Sequence, residues 1–159
     1  MSTHSRQTTG FVIRQARTSD AQEISALISD WAHHYLDDPA PREAAPFLES
    51  LTPSATAERI DSPGFRYYVA ENLAGLCGVI ALRERSHLYH LFVREDAQGQ
   101  GVARALWEHA KSRSGNTRFT VNSALPAVAV YERFGFVAMG APQSKHGVSY
   151  VPMEYVPES

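Results

Sequence analysis

The stretch Leu91 to Leu106, LFVREDAQGQGVARAL, constrains the fold of this chain more than any other. It reads as the end of an apolar strand, a short charged turn, a loop with two glycines, and then an amphipathic helix. A helix that starts this way leaves its first backbone N–H groups unpaired at the positive end of the helix dipole, which makes it an anion site. Gly99 and Gly101 have no Cβ, so a phosphate can approach the backbone there. Two common phosphate motifs are excluded. A P-loop requires a lysine directly after its last glycine, and Val102 follows Gly101. A dinucleotide fingerprint requires a third glycine where Arg104 stands.

The surrounding chain is of a size and composition to support one domain. Its 159 residues can bury a sizeable core, and 43% hydrophobic with 20% charged residues is ordinary for a globular protein. Residues 1–10 read as a polar leader and 11–159 as the domain. A formal net charge of -2 and a pI near 6.4 give no electrostatic footprint for nucleic acid. No apolar run is long enough to span a membrane, and the polar start lacks a signal-peptide core, so the expected location is cytoplasmic. A lone cysteine, Cys77, rules out an internal disulfide and reads as a small core residue.

Periodicity supplies the element order. Phe11–Arg17 alternates as a strand, with Phe11 and Ile13 on one face. Thr18-Ser19-Asp20 followed by Glu23 signals a helix start, and Ile24, Leu27, Ile28 and Trp31 fall at helical spacing. An acidic, proline-bearing loop containing Asp37 and Asp38 follows. Short helices are expected at 44–51 and 54–60, then strands at 65–71, 75–83 and 86–93, the first two forming a hairpin. The helix after the glycine loop spans 101–111. A strand at 118–122 precedes a helix with Pro126 in its first turn and Gly135 at its end. Strands at 136–139 and 149–155 close the chain, separated by a polar loop at 142–147. This order predicts an α/β fold: a mixed sheet with helices packed on its faces.

The loop pattern Gln98-x-x-Gly101-x-Ala103 and the downstream Tyr131-Glu132-Arg133-Phe134-Gly135-Phe136 together resemble the GCN5-related N-acetyltransferase (GNAT) family. That family carries Arg/Gln-x-x-Gly-x-Gly/Ala at its pyrophosphate loop and Tyr-x-x-x-Gly-Phe at a later helix end. The likeness extends over residues 11–156. It implies a mostly antiparallel central sheet with helices on both faces and one splayed pair of parallel strands, here 86–93 and 118–122. It further implies acetyl-CoA as co-substrate, with the pyrophosphate on Gln98, Gly99, Gln100, Gly101, Val102, Ala103 and Arg104. Leu91, Phe92 and Val93 are the expected contacts for the pantetheine arm and the acetyl carbonyl, and Asn122 is a further cofactor contact. One departure stands out: many relatives have Asn seven residues before the helix tyrosine, and this chain has Ala124.

Acyl transfer to a primary amine requires two proton movements. The resemblance gives Tyr131 the role of general acid toward the leaving thiolate. His87 stands where histone-type relatives place a glutamate base, and its imidazole titrates near neutrality; a chain of waters is the alternative base. Tyr89, two residues on, shares the strand face of His87, and His90 points to the other face. His87 and His90 on opposite faces, and His33 and His34 about 100° apart on a helix, are poor chelators, so no metal is expected. The resemblance places the connection after the first helix beside the acceptor pocket, where an acidic rim of Asp37, Asp38 and Glu43 would favour a cationic acceptor. The acceptor amine itself is not specified by the sequence, and monomer and homodimer both fit. Two other readings stay open: a non-catalytic acyl-CoA-binding or sensor domain, and a nucleotide-binding α/β domain of another kind.

Overall fold

Residues 10–32, 45–145 and 148–157 are described by a computed structural model. The alternating segment after Gly10 forms β1 (Val12–Gln15), and a 3-10 turn at Thr18–Asp20 leads into α1 (Ala21–Ala32). Asp20 is the acid that organises this start. Its carboxylate accepts from the Arg17 backbone N–H at 2.7 Å and from both terminal nitrogens of Arg14 at 2.8 and 3.0 Å. The Arg14 hydrogen bond holds the Asp20 carboxyl below the usual carboxylate range. Glu23 does not close a capping box; it reaches across to accept from Leu76 N–H at 3.3 Å.

Two short helices, α2 (Ala45–Glu49) and α3 (Pro53–Ile60), precede the sheet. Then come β2 (Phe65–Asn72), β3 (Gly75–Arg83), β4 (His87–Val93), α4 (Val102–Ser114), β5 (Phe119–Ala124), α5 (Val128–Phe134), β6 (Phe136–Ala138), β7 (Gln143–Lys145) and β8 (Val148–Tyr155). The strands lie in the order β1-β2-β3-β4-β5-β8-β6, with β7 also paired to β8. Every pairing is antiparallel except β4 with β5.

The sheet divides the interior in two. On one face α4 and α5 pack Val102, Leu106, Trp107, Tyr131 and Phe134 against Leu88, Val93, Phe119 and Val121. On the other, Ile24, Ile28 and Ala32 of α1, with Leu51, meet Tyr67, Val69, Val79 and Ala81. Helix α4 approaches β3 closely at Gly78, where a Cβ would lie 3.0 Å from side-chain atoms of both Val102 and Leu106. That contact fixes the start of α4, and hence the glycine loop, against the sheet.

Two features depart from the sequence reading. The polar segment expected as a loop contains β7, whose register places Gln143 opposite Tyr150. Backbone pairing with β8, together with a Tyr150 hydroxyl–Gln143 Oε1 bond at 3.1 Å, creates this strand where apolar alternation is absent. The second departure is a β-bulge. The β3–β4 register runs Ala81 to His90 and then Leu82 to Leu88, which leaves Tyr89 as an extra residue. His90 consequently turns onto the same face as Tyr89 and Phe92, not the opposite one; its ring centroid lies 4.4 Å from that of Tyr89 and 5.5 Å from that of Phe92.

Candidate active site

The bulge also opens the sheet. Strands β4 and β5 pair only at His87–Thr120 and Leu88–Val121 and then part, so β4 beyond Tyr89 lacks a neighbour on that side. Arg94 N–H donates to the Cys77 carbonyl at 2.8 Å. By antiparallel alternation, the backbone groups of Leu91 and Val93 therefore point away from β3, into the opening. One of them is already engaged: Val93 C=O accepts from Gln98 Nε2 at 3.1 Å.

The loop that follows is shaped by its glycines. Gly99 and Gly101 have φ of 81° and 82°, the left-handed region where a Cβ is costly. A 3-10 turn at Glu95–Ala97 and these two residues reverse the chain so that α4 begins beside the end of β4. No side chain caps α4; its N-cap is Gly101, and the first N–H groups face outward at the positive end of the dipole.

Beneath that helix start lies a pocket of about 620 Å³. Its walls are Leu91 and Val93 from β4, Gln98, Gly99 and Gly101 from the loop, and Val102, Ala103 and Arg104 from α4. The far wall is Pro126 and Ala127 with Val130, Tyr131, Arg133 and Phe134 of α5. The sequence reading missed that wall apart from Tyr131, although Ala127, Val130, Tyr131 and Phe134 recur at the three- and four-residue spacing of one helix face. Tyr131 is 5% exposed, with its ring edge-on to Phe134 and Phe136. Arg104 stacks over Phe134 at 5.1 Å and donates to the Arg133 carbonyl at 3.2 Å. Neither Arg104 nor Arg133 has a carboxylate partner among the described residues, so both charges are available to an anion.

Three expected cofactor contacts do not line this pocket. Gln100 is exposed, its Nε2 near the Asp96 carbonyl at 3.5 Å. Phe92 packs on the opposite face of the sheet. Asn122 is exposed between Val121 and Ser123, which are buried toward α4 and α5, so strand alternation turns it to that opposite face as well. His87 is there too, its Nδ1 2.8 Å from Thr120 Oγ1. Burial, and then the charge of Arg83, push the His87 pKa down to about 4, which leaves the ring neutral at pH 7. His33, His34, Asp37, Asp38 and Glu43 lie outside the described residues.

A family model for the acetyltransferase (GNAT) domain matches residues 35–157. The chain belongs to the GNAT acetyltransferase family. Solved GNAT structures share its fold. The GCN5-related N-acetyltransferase from Rhodopseudomonas palustris superposes with a TM-score of 0.73 at 19% identity, covering 92% of this chain and 95% of that one. PaiA N-acetyltransferase from Thermoplasma acidophilum, solved in complex with coenzyme A, gives 0.71 at 14% identity over 92% and 99%. A spermidine N-acetyltransferase from Vibrio cholerae gives 0.63 at 21% identity over 92% and 93%. A search of curated proteins finds no match.

As a GNAT domain, the chain has the mixed sheet, the helices on both faces and the splayed parallel pair that its two motifs imply. Cys77 is fully buried in the core under α4, where burial pushes its thiol pKa up. Among the described residues no group of three or more histidine, cysteine or acidic side chains is placed to hold a metal ion. No helix among them is long and apolar enough to cross a membrane.

Proposed function

We propose that this GNAT domain transfers the acetyl group of acetyl-CoA to a primary amine by direct attack, in the cytoplasm. The observation that carries the reading is the pocket, which collects Leu91, Val93, Gln98, Gly99, Gly101, Val102, Ala103 and Arg104 around Tyr131. Anionic pyrophosphate suits the N-terminus of α4 and the unpaired Arg104 and Arg133. The backbone groups that Leu91 and Val93 aim into the opening suit an amide-bearing arm lying along β4, since they have no strand partner there.

The amine nitrogen bonds to the acetyl carbonyl carbon as the carbon–sulfur bond breaks, and the electron pair leaves on sulfur. Backbone N–H groups of β4 steady the negative charge that builds on the carbonyl oxygen. Tyr131 gives its phenolic proton to the departing thiolate, in the role its place on the pocket wall allows. An alkylamine with pKa near 10 must first lose a proton. His87 is the candidate acceptor of that proton and a chain of waters the alternative. Lowered to a pKa of about 4 and tied to Thr120, the His87 ring is a weak base at pH 7, which favours the waters.

The test is a thermal shift with acetyl-CoA, CoA, NAD and ATP, followed by a CoA-release assay over an amine panel. A ligand at 100 times its Kd adds about 2.7 kcal/mol of stability. Stabilisation by acetyl-CoA and CoA alone, with CoA release in the presence of an amine, is the expected result. Binding without transfer to any amine would replace the enzyme with an acyl-CoA-binding domain. Stabilisation by none of the four would overturn the reading.

A further inference from the structure

The pocket gives the cofactor one face of the sheet, so an acceptor reaches the thioester through the opening between β4 and β5 from the other face. There the half-buried ring of Tyr89 sits at the bulge, edge-on to Phe65 with ring centroids 5.1 Å apart. Two guanidinium groups converge on it. Arg59 of α3 stands 5.3 Å and Arg83 of β3 stands 5.8 Å from the Tyr89 ring centre. Arg59 is held in place, donating from Nε to the Tyr67 hydroxyl at 2.7 Å and from Nη2 to the Ser50 carbonyl at 2.6 Å. Neither its Nη1 nor the Arg83 side chain donates a hydrogen bond among the described residues. No carboxylate in the described residues pairs with either arginine.

Two cations share one aromatic ring without a counter-ion among the described residues, an arrangement whose mutual repulsion an anion between them would relieve. A second observation points to a ligand on the same face. His90, 7% exposed and packed against Tyr89, has a buried Nε2 with no hydrogen-bond partner. That nitrogen therefore has an unmet hydrogen-bonding capacity. A polar group of the ligand, or a water carried in with it, supplies the missing partner.

On the reading above, we propose that the acceptor is an amine that also carries a carboxylate, which docks between Arg59 and Arg83 over Tyr89 while the amine reaches into the β4–β5 opening. Strand rise separates Tyr89 from Leu91 by roughly 7 Å, so a carboxylate several bonds from the amine fits better than one on the adjacent carbon.

The experiment compares ω-amino acids of increasing chain length with n-alkylamines of the same length, and with spermidine, by CoA release. In parallel, plain short-chain carboxylates are added to the CoA-bound protein in a thermal shift. The same measurements are made on Arg83→Gln, whose exposed side chain can be replaced without disturbing the core, and on Arg59→Lys. The expected result is a kcat/KM at least tenfold higher for the carboxylate-bearing amine of each pair. That ratio collapses about tenfold in R83Q through a raised KM, and the carboxylate-induced shift of the CoA complex is lost. Preference for alkylamines or spermidine, or a ratio that R83Q leaves unmoved, would overturn the inference while leaving the acetyltransferase reading intact. If no amine is turned over, the carboxylate shift of the CoA complex decides alone: its absence overturns the inference. Failure of acetyl-CoA and CoA to stabilise the protein would take down both readings.

Discussion

Gln98 Nε2 and the Val93 carbonyl, 3.1 Å apart, tie the glycine loop to the last residue of β4. The side chain of the first motif residue is thus spent on the protein itself, while the helix start beyond it stays open. The bond sets how far the start of α4 stands from the strand end.

Replacing Gln98 by Ala removes this tether and leaves the Val93 carbonyl to water. A neutral hydrogen bond is worth about 1 kcal/mol net. We expect the Kd for acetyl-CoA, measured by calorimetry, to rise about fivefold, with a melting midpoint of the free protein close to wild type. An unchanged Kd would show that the loop holds its shape without the bond.

Gly101→Ala tests backbone conformation rather than space. A Cβ at Gly101 meets nothing within 4 Å, yet φ is 82°. The substitution should cost about 1–2 kcal/mol in urea unfolding, because an L-residue in the left-handed region pays that much. If stability is unaffected, the loop has another conformation available and the glycine is not needed for the turn.

Much of this architecture was legible in the sequence because it rests on periodicity and breakers. The α4 stripe of Val102, Leu106 and Ala110, the hairpin between β2 and β3, and Gly135 closing α5 each follow from local spacing. What escaped is non-local. Strand β7 is polar and owes its existence to pairing with β8. The Tyr89 bulge depends on how β4 meets β3, and it alone reverses the expected facing of His90. The facing of Asn122 and Phe92 away from the pocket that holds Leu91 and Val93, by contrast, follows from strand alternation alone and could have been read from the sequence.

Tyr131→Phe separates proton donation from packing. The ring stays to fill its place against Phe134 and Phe136, and only the hydroxyl is lost. We expect kcat to fall about 10²-fold, a typical contribution for a positioned acid, with the Kd of acetyl-CoA nearly unchanged. Full activity in the variant would move the acid role to water.

Acid sensitivity follows from the buried histidines. Burial, and then the charge of Arg59, lower the pKa of His90 to about 3, and His87 is lowered to about 4. His109 shifts in the same direction, by burial and then Arg113. In the unfolded chain these rings titrate near 6.5, so between that pH and 4 the unfolded state binds more protons than the folded one. Stability therefore rises with pH over this window and is lost as pH falls from 6.5. The slope is at most about 1.4 kcal/mol per pH unit for each fully buried site, and less for His87, which water partly screens. Asp20 adds its own loss only at lower pH, as the unfolded carboxyl takes up a proton near its ordinary pKa while the folded one, held below that range, does not. Urea unfolding at pH 7, 6 and 5 thus isolates the histidines. His90→Gln, which preserves a polar side chain of similar length, should flatten the slope, whereas identical slopes in the two proteins would mean that His90 is protonated as readily folded as unfolded.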